Sequence, residues 1–536
     1  MGPLTAWLDP SELRVGLGCM RLPDDGAETI AAAATAGITV FDTARAYGEN
    51  ERLLARALRK CGADARARIV TKGGMARPGG AWVPDGRAKA IRADCEASLA
   101  ALDGLPVDLY LLHAPDPRTP WRTSVRALAR LVDEGLVRRV GVANVNRRQL
   151  DEALELAPVA AVQVALSPFD DRALRGGVVE RCEQLGLALI AHSPLGGPKR
   201  AGRVDAQETL AWLLGLSEVV VPIPGARRPE TARAAARAAA LAPASAPSRR
   251  RSRQLPTRTD ADVVLVMGIP GAGKSRVAAE YAARGYVRLN RDERGGSLRD
   301  LAGTLEDQLA SGARRLVLDN TYLTRASRND VIEAAGRRGA AVRCIWLDTP
   351  LAQAQANMVA RLLDRCDGAL PTPEELRELA RREPWLLVPT SQMRAARELE
   401  PPADDEGFAR VEQVPFARAP GGGRPGVFVA AAAAGRATET PDAPHLVFEW
   451  NPNGDAAALD AAAARLATLV SGPVEKALCP HPAGPPTCWC RPPLPGLPLA
   501  FACVHDVDPA RSVVVGTGPA HRTLAVTLGA RYAQPG

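Results

Sequence analysis

Apolar and polar positions over residues 1–242 separate the chain into two kinds of segment. Short runs of aliphatic residues predict strands, and the stretches between them, with apolar residues three and four apart, predict helices. Strands are predicted at 14–19, 38–42, 68–72, 108–113, 138–143, 161–165, 187–192 and 219–224. The helical stretches include 28–36, 51–58, 91–101 and 123–134. Eight strands alternating with helices in this length predict a (β/α)8 barrel within an α/β multidomain chain.

Polar side chains lie in or just after the carboxyl ends of these strands. Such ends meet at one face of a barrel, where barrel enzymes place their chemistry. The residues are Asp42, Lys72, His113, Asn144, Gln163 and His192, with Tyr47 shortly after Asp42. A hydride added to a carbonyl carbon leaves an oxyanion that Tyr47 can protonate. The Lys72 cation favours ionisation of the phenol, Asp42 can hold that cation, and His113 can donate to the carbonyl oxygen.

The motifs at 41–48, 70–73 and 111–113 make this domain resemble the aldo/keto reductase family over its whole length. The resemblance implies a catalytic tetrad of Asp42, Tyr47, Lys72 and His113 acting on a small carbonyl substrate. For the cofactor, it implies carboxamide contacts from Asn144 and Gln163, nicotinamide stacking by His192, a pyrophosphate loop with Ser193 and Leu195, and a 2′-phosphate segment with Gly225 and Arg228. An arginine fork suits a phosphate, so NADP(H) is expected.

The middle of the chain, residues 263–275, places a glycine-rich loop between an apolar run and an Ala-rich helical stretch. Its loop glycines are Gly268, Gly271 and Gly273. Such glycines allow backbone N–H groups to turn inward around a phosphate, and the helix N-terminus adds partial positive charge. Lys274 can reach the β- and γ-phosphates of ATP, and the Ser275 hydroxyl can bind Mg²⁺. We therefore expect an ATP site.

Further strands and helices after this loop predict a parallel P-loop α/β fold over residues 260–416. Asp292 ends a strand-like run and could accept the proton of a substrate hydroxyl; alternatively it caps a helix. Asp319 also ends a run, and it could orient the metal or serve as a structural strand-end residue.

The motifs at 268–275, 286–292, 318–321 and 327–328 look like the kinase domain of polynucleotide 5′-hydroxyl kinase/3′-phosphatases. The resemblance implies ATP-dependent phosphorylation of a 5′-hydroxyl end of DNA or RNA, with Asp292 as general base. It also implies a lid arginine on the ATP phosphates, for which Arg361 is the first candidate and Arg365 the second.

Residues 425–536 bring together Cys479, His481, Cys488 and Cys490. Four such ligands predict a closed tetrahedral Zn²⁺ site, the alternative being reduced, unpaired thiols. This loop, with residues 491–496 and 511–516, resembles haloacid dehalogenase-type histidinol-phosphate and heptose-bisphosphate phosphatases. That family acts through an Asp-x-Asp pair after its first strand, where this chain has alanines at 430–434. We expect a degenerate, zinc-stabilised module.

The composition, with 46% hydrophobic and 24% charged residues, is that of a globular protein, and the net charge of +8 permits a polyanionic partner without requiring one. No apolar run approaches the ~18 residues of a membrane span, and solitary cysteines suit a reducing compartment, so a cytoplasmic protein is expected. The basic Pro/Ser-rich stretch at 243–259 predicts a linker, either a solvated tether or an arm that touches nucleic acid.

These observations predict an NADP(H)-dependent reductase barrel joined to an ATP-dependent 5′-hydroxyl polynucleotide kinase in nucleic-acid end repair. One rival is a metabolic reductase with a small-molecule kinase. The other is a non-catalytic barrel that senses NADPH.

Overall fold

The computed structural model describes residues 7–9, 11–241, 260–383, 385–418, 421–435 and 440–535. The chain divides into two compact units, Met1–Ser252 and Arg253–Gly536. The linker predicted at 243–259 lies outside the described residues. Within the described ranges, every helix is too short or too polar to cross a membrane.

An eight-stranded parallel sheet forms the first unit, and neighbouring strands follow chain order. They are β1 Gly16–Gly18, β2 Val40–Asp42, β3 Arg68–Gly73, β4 Val107–Leu112, β5 Val140–Ala143, β6 Val159–Ala165, β7 Ala188–His192 and β8 Val220–Pro222. After β8, Gly225 bridges to Gly18, and the Gly18 amide donates to the Pro224 carbonyl at 3.0 Å. A Cβ at Gly18 would lie 2.9 Å from the Ile223 carbonyl oxygen, so this close approach requires glycine. The sheet therefore closes, which confirms the predicted barrel.

Helices cover the outside of this barrel and bury their apolar faces against it. They are α1 Ala27–Thr35, α2 Asn50–Lys60, α3 Ala88–Ala101, α4 Trp121–Asp133, α5 Arg147–Leu154, α6 Val178–Leu185, α7 Ala206–Leu214 and α8 Pro229–Ala240. Leu54 and Leu58, one turn apart on α2, are fully buried in this outer core. The interior of the barrel holds a second apolar cluster, which Trp7 closes by donating to Asp108 at 2.7 Å.

A five-stranded parallel sheet carries the predicted P-loop fold, in the order β10-β11-β9-β12-β13. Its strands are β9 Asp262–Met267, β10 Val287–Leu289, β11 Arg315–Asp319, β12 Ala341–Asp348 and β13 Arg410–Pro415. Its main helices are α9 Lys274–Ala283, α10 Leu298–Ala310, α11 Arg325–Arg337, α12 Leu351–Arg365, α13 Pro373–Arg382 and α14 Pro389–Glu398. The strand β13 was not predicted from the sequence because this edge strand is mostly exposed and lacks an apolar alternation.

The second unit also contains another parallel sheet, in the order β16-β15-β14-β17-β18. Its strands are β14 Val427–Ala430, β15 His445–Trp450, β16 Val474–Cys479, β17 Val513–Val515 and β18 Arg531–Ala533, and its helices are α15 Ala457–Ala467, α16 Gly496–His505 and α17 Pro519–Leu528. The helix α12 packs against α16 and α17, and Gln353 donates to the Val526 carbonyl at 3.1 Å. The two sheets of this unit are thus connected through the packing of these helices.

Candidate functional site

Strand alternation places the predicted polar residues inside the mouth of the barrel. Val40, Val70, Leu109, Leu111 and Ala161 belong to the interior cluster. Side chains two residues apart share one face of a strand. Residues 42, 72, 113 and 163 each lie two positions beyond one of these interior residues, at the carboxyl end of its strand. Strand alternation alone therefore brings these four side chains, from four strands, to one end of the barrel interior, and no inserted segment is needed.

Lys72 is the centre of this group. Its side chain is only 1% exposed, and its ammonium donates to Asp42 Oδ1 at 2.7 Å and to the Thr43 carbonyl at 2.9 Å. The second oxygen of Asp42 accepts a hydrogen bond from Gln163 Nε2 at 2.6 Å. The Lys72 ammonium lies 5.2 Å from the centre of the Tyr47 ring. Two of the expected tetrad residues thus form a buried ion pair below the third.

Burial and the neighbouring charges have opposing effects on the pKa values of Tyr47 and Lys72. Burial raises the pKa of Tyr47, while the Lys72 cation acts in the opposite direction, and the net shift is upward. Burial alone would lower the pKa of Lys72, but the Asp42 carboxylate and Tyr47 outweigh burial and raise it. At neutral pH, therefore, Tyr47 keeps its proton and Lys72 keeps its charge.

His113 faces Tyr47 across a small aromatic group. The two rings lie 5.8 Å apart, and the Trp82 ring lies 6.1 Å from Tyr47 and 5.5 Å from His113. Burial, together with the charges of Lys72 and His192, lowers the pKa of His113 to about 3. Its imidazole is consequently neutral at physiological pH and can donate a hydrogen bond to a ligand without carrying charge.

The sequence analysis did not single out Trp82. Its ring is 45% exposed at the cavity, and the Arg77 guanidinium stacks on it at 4.1 Å. It lies on a hairpin between β3 and α3, formed by Met75–Ala76 and Val83–Pro84. Tryptophan is the most frequent aromatic residue of this chain, with 8 against 7 Phe and 6 Tyr, so residue type gave no signal that could have drawn attention to Trp82.

The expected cofactor residues lie around the same opening. Asn144 Nδ2 donates to the His113 carbonyl at 2.9 Å, and Asn144 Oδ1 lies 3.0 Å from His192 Nε2. A cavity of about 480 Å³ runs past these groups. It is lined by Asp42, Tyr47, His113, Asn144, Gln163, His192, Ser193, Leu195 and Gly225, and also by Met20, Arg21, Met75 and Trp82, which sequence reasoning missed.

Arg228 does not line this cavity. It is the exposed N-cap residue of α8, followed by proline at the first helical position. A helix N-terminus with an adjacent arginine is a favourable position for a phosphate. Arg228 lies three residues beyond the cavity-lining Gly225, and its assignment to a 2′-phosphate stays a prediction.

The glycine-rich loop of the second unit has the backbone that phosphate binding requires. Gly268, Gly271 and Gly273 all have positive φ, and Gly273 is the N-cap of α9. A Cβ at Gly271 would lie 2.3 Å from the Ala354 carbonyl oxygen, so no larger residue fits there. Gln392 donates to the Pro270 carbonyl and Asn357 to the Gly271 carbonyl, each at 2.8 Å. These two bonds, which sequence reasoning missed, fix the positions of two loop carbonyls.

Lys274 lies across the loop and donates to the carbonyls of Gly268 and Ile269 at 3.1 and 3.0 Å. Burial lowers its pKa to about 8; the charge of Arg361 acts in the same direction, and those of Asp319 and Asp292 act against it. Ser275, Arg361 and Arg365 line a cavity of about 470 Å³ together with Asp364 and Trp385. Both candidate lid arginines therefore face the space next to the loop.

The two candidate carboxylates differ in their surroundings. Asp319 is buried, and its Oδ2 accepts hydrogen bonds from Arg288 Nε and Asn290 Nδ2, both at 3.2 Å. Asp292 is exposed, and the neighbouring Arg291 donates to its Oδ1 at 2.9 Å. Its amide is capped by Asn290 Oδ1 at 2.7 Å. Asp292 is the more accessible of the two, whereas Asp319 already has two hydrogen-bonding partners.

The four predicted zinc ligands come together at the end of β16 and in the loop before α16. Their ligand atoms all lie within 4.8 Å of one another. Cys479 Sγ is 3.8 Å from Cys488 Sγ and 3.3 Å from Cys490 Sγ, and His481 Nδ1 is 3.1 Å from Cys490 Sγ. At the end of the central strand β14, a short turn, Ala431–Ala433, provides no carboxylate.

Comparisons with known proteins agree with this division of the chain. The model of the aldo/keto reductase family matches residues 14–209, and that of an AAA domain matches residues 263–384. Probable aldo-keto reductase 1 of Glycine max is 30% identical over 272 residues, covering 40% of this chain and 77% of that protein. An uncharacterized oxidoreductase of Schizosaccharomyces pombe is 31% identical over 242 residues, covering 40% of this chain and 78% of that protein.

Among solved structures, the aldo-keto reductase of Klebsiella pneumoniae in complex with NADPH is 27% identical, with a TM-score of 0.37, covering 42% of this chain and 86% of that one. The aldo/keto reductase family match falls on the barrel unit. The AAA-domain match supports nucleotide binding by the P-loop of the second unit. By its first unit, the chain belongs to the aldo/keto reductase family.

Proposed function

We propose that the barrel reduces a small carbonyl substrate with NADPH. The observation that carries this proposal is the buried Lys72–Asp42 ion pair placed next to Tyr47 in the cavity. An oxidoreductase of the aldo/keto reductase type is supported by the family match, and the roles of individual residues are our proposal.

The residues around the cavity suit a nicotinamide dinucleotide. Asn144 and Gln163 offer amide groups, His192 offers a ring face, and Ser193 and Gly225 lie along the same opening. Arg228, exposed at the N-terminus of α8, would take a 2′-phosphate, which favours NADP(H) over NAD(H). When bound, this cofactor supplies the hydride.

Side chains of the protein supply the proton and stabilise the charge that its transfer leaves behind. Tyr47, which keeps its proton at neutral pH, donates it to the substrate oxygen as that oxygen gains charge. Lys72 stabilises the phenolate that results, and Asp42 holds the ammonium in place. His113, neutral at this pH, donates a hydrogen bond to the carbonyl oxygen. Trp82, whose ring meets those of Tyr47 and His113 edge-on, would limit the entry of water.

We further propose that the second unit transfers the terminal phosphoryl group of ATP to a 5′-hydroxyl end of DNA or RNA, in nucleic-acid end repair. The loop backbone and Lys274 would hold the phosphates, Ser275 would bind Mg²⁺ and Arg361 would close on the γ-phosphate. Asp292 is exposed, and its charge acts on Lys274, as suits a base that meets an outside hydroxyl. Asp319 would orient metal-bound water only if its hydrogen bond with Arg288 broke and the carboxylate turned to the metal site.

For residues 425–536 we propose a phosphatase-like module without hydrolytic activity, stabilised by one Zn²⁺. Cys479, His481, Cys488 and Cys490 suit this ion because thiolate and imidazole ligands at such mutual distances form a closed tetrahedral site. The alanines after β14 offer neither a nucleophile nor a ligand for Mg²⁺.

Replacement of Tyr47 by phenylalanine tests the reductase. We expect Tyr47→Phe to lower kcat for aldehyde reduction by roughly 10²–10⁴-fold, because the proton donor is lost. NADPH binding, measured by fluorescence titration, should stay within about twofold, since the ring remains. Tyr110→Phe is the matched control: this buried phenol donates to the Ile91 carbonyl at 3.1 Å, outside the cavity. If Tyr47→Phe kept full activity, or if the wild type bound NADPH but reduced no aldehyde, the catalytic proposal would be wrong and a sensing barrel would be favoured.

Phosphoryl transfer from radiolabelled ATP tests the kinase. We expect label on 5′-hydroxyl oligonucleotides and none on small alcohols. Lys274→Ala and Asp292→Asn should each reduce transfer by roughly 10²-fold or more, through loss of phosphate binding and of the base, respectively. Lys476→Ala removes a surface lysine paired with Asp460 and should have no effect. Label on small alcohols alone would support a small-molecule kinase.

Metal analysis of the purified chain tests the zinc site. We expect about one Zn²⁺ per chain in the wild type and none in Cys488→Ser, because a tetrahedral site that loses one thiolate binds far more weakly. Cys503→Ser, which changes a solitary exposed cysteine of the same module, should retain the metal. Full occupancy in Cys488→Ser would exclude this ligand set.

A further inference from the structure

The helix α12 connects the nucleotide cavity with the C-terminal module. On one side, Asn357 donates to the Gly271 carbonyl, and the Ala354 carbonyl meets the same glycine. One turn beyond Asn357, Arg361 lines the cavity together with Ser275. The position of α12 therefore decides where the Arg361 guanidinium lies relative to the glycine-rich loop.

Other residues of α12 belong to the same buried apolar cluster as Trp489. Leu362 and Leu363 belong to one apolar cluster with Trp489, Leu376 and Leu386. The Trp489 side chain is 2% exposed, and its indole N–H donates to the Leu387 carbonyl at 3.2 Å. Leu387 lies two residues after Trp385, which lines the nucleotide cavity. The indole thus hydrogen-bonds to the segment that carries Trp385 and shares one apolar cluster with residues of α12, the helix that carries Arg361.

Trp489 is itself held by its neighbours in the sequence. It lies between Cys488 and Cys490, two members of the Cys/His cluster, and that cluster packs against Leu370. The carbonyl of Trp489 accepts a hydrogen bond from the Gly496 amide at 3.0 Å, at the start of α16. The indole is therefore anchored in the C-terminal module and inserted into the helices that border the nucleotide cavity.

We infer that Trp489 is a positioning residue of the nucleotide site, through which the C-terminal module holds α12 so that Arg361 faces the ATP phosphates. This gives a module without an evident catalytic carboxylate a role in nucleotide binding. The inference rests on the proposed binding of ATP by the second unit and does not depend on the identity of the phosphoryl acceptor.

A double-mutant cycle in the full-length chain tests this role. The Kd for ATP is measured by calorimetry for the wild type, Trp489→Ala, Arg361→Ala and the double variant. We expect each single variant to weaken ATP binding by roughly tenfold and the double variant to be no weaker than Arg361→Ala alone, because both changes remove the same phosphate contact. The Kd for AMP, which lacks the distal phosphates, should stay within about twofold.

Three further variants separate positioning from stability. Trp489→Phe, which keeps most of the packing, should restore ATP binding to within about threefold of the wild type. Leu459→Ala creates a cavity in the C-terminal core away from α12, so it should lower the melting temperature without changing the Kd for ATP. If Trp489→Ala does not fold, Leu386→Ala replaces it in the cycle, because Leu386 belongs to the same apolar cluster as Trp489.

Unchanged ATP affinity in a folded Trp489→Ala chain, or additive losses in the double variant, would overturn the inference while leaving the nucleotide site itself intact. A wild-type chain that does not bind ATP would overturn both the inference and the proposed kinase. Loss of ATP binding in Lys274→Ala would show that the wild-type chain binds ATP at the glycine-rich loop, which separates the first case from the second.

Discussion

The buried ion pair between Lys72 and Asp42 is the constraint on which the barrel site depends. Removing two charges from water costs several kcal/mol for each ion, so such a pair persists only when further hydrogen bonds complete it. Here Gln163 and the Thr43 carbonyl do so. Loss of one partner would leave an unpaired buried charge, at a cost of about 3–5 kcal/mol. The same contacts that stabilise the pair also fix the ammonium beside the phenol.

A comparison of the two candidate site lysines shows how the surroundings determine their protonation. Burial lowers the pKa of Lys72, but the Asp42 carboxylate 2.7 Å away and Tyr47 together outweigh burial and raise it. The pKa of Lys274 is lowered to about 8, because burial dominates and its two hydrogen-bond acceptors are neutral carbonyls. A nucleotide phosphate would give Lys274 the anionic partner that Lys72 already has. The charge of Lys72 is therefore balanced by a carboxylate of the protein, whereas the charge of Lys274 would be balanced by a bound phosphate.

Much of the barrel and of its site could be predicted from the sequence because both follow from strand periodicity. Once the strands are located, alternation places Asp42, Lys72 and His113 at one end of the interior. Trp82 could not be predicted in the same way, because a hairpin loop carries it to the cavity and no local pattern encodes that path. The edge strand β13 was also not predicted, because its exposed residues lack an apolar alternation.

In the second unit, the glycine loop was evident from local sequence, but its supports were not. Asn357 and Gln392 come from helices about 90 and 120 residues later in the chain, and only tertiary packing brings them to the loop. The same reason applies to Trp489, which sequence reasoning passed over between two cysteines. Asp319 was predicted as a strand-end carboxylate, but its neutralisation by Arg288 depends on the pairing of β10 with β11.

The most direct test of the central claim, that the Lys72 charge sets the ionisation of Tyr47 during carbonyl reduction, is the pH profile of aldehyde reduction in the wild type and in Lys72→Met. The wild-type rate should be constant through neutral pH and fall at alkaline pH as the phenol ionises. In Lys72→Met the residual rate should fall at a higher pH, because the ammonium that lowers the pKa of Tyr47 is gone. An alkaline limb at the same pH in both proteins would contradict the account.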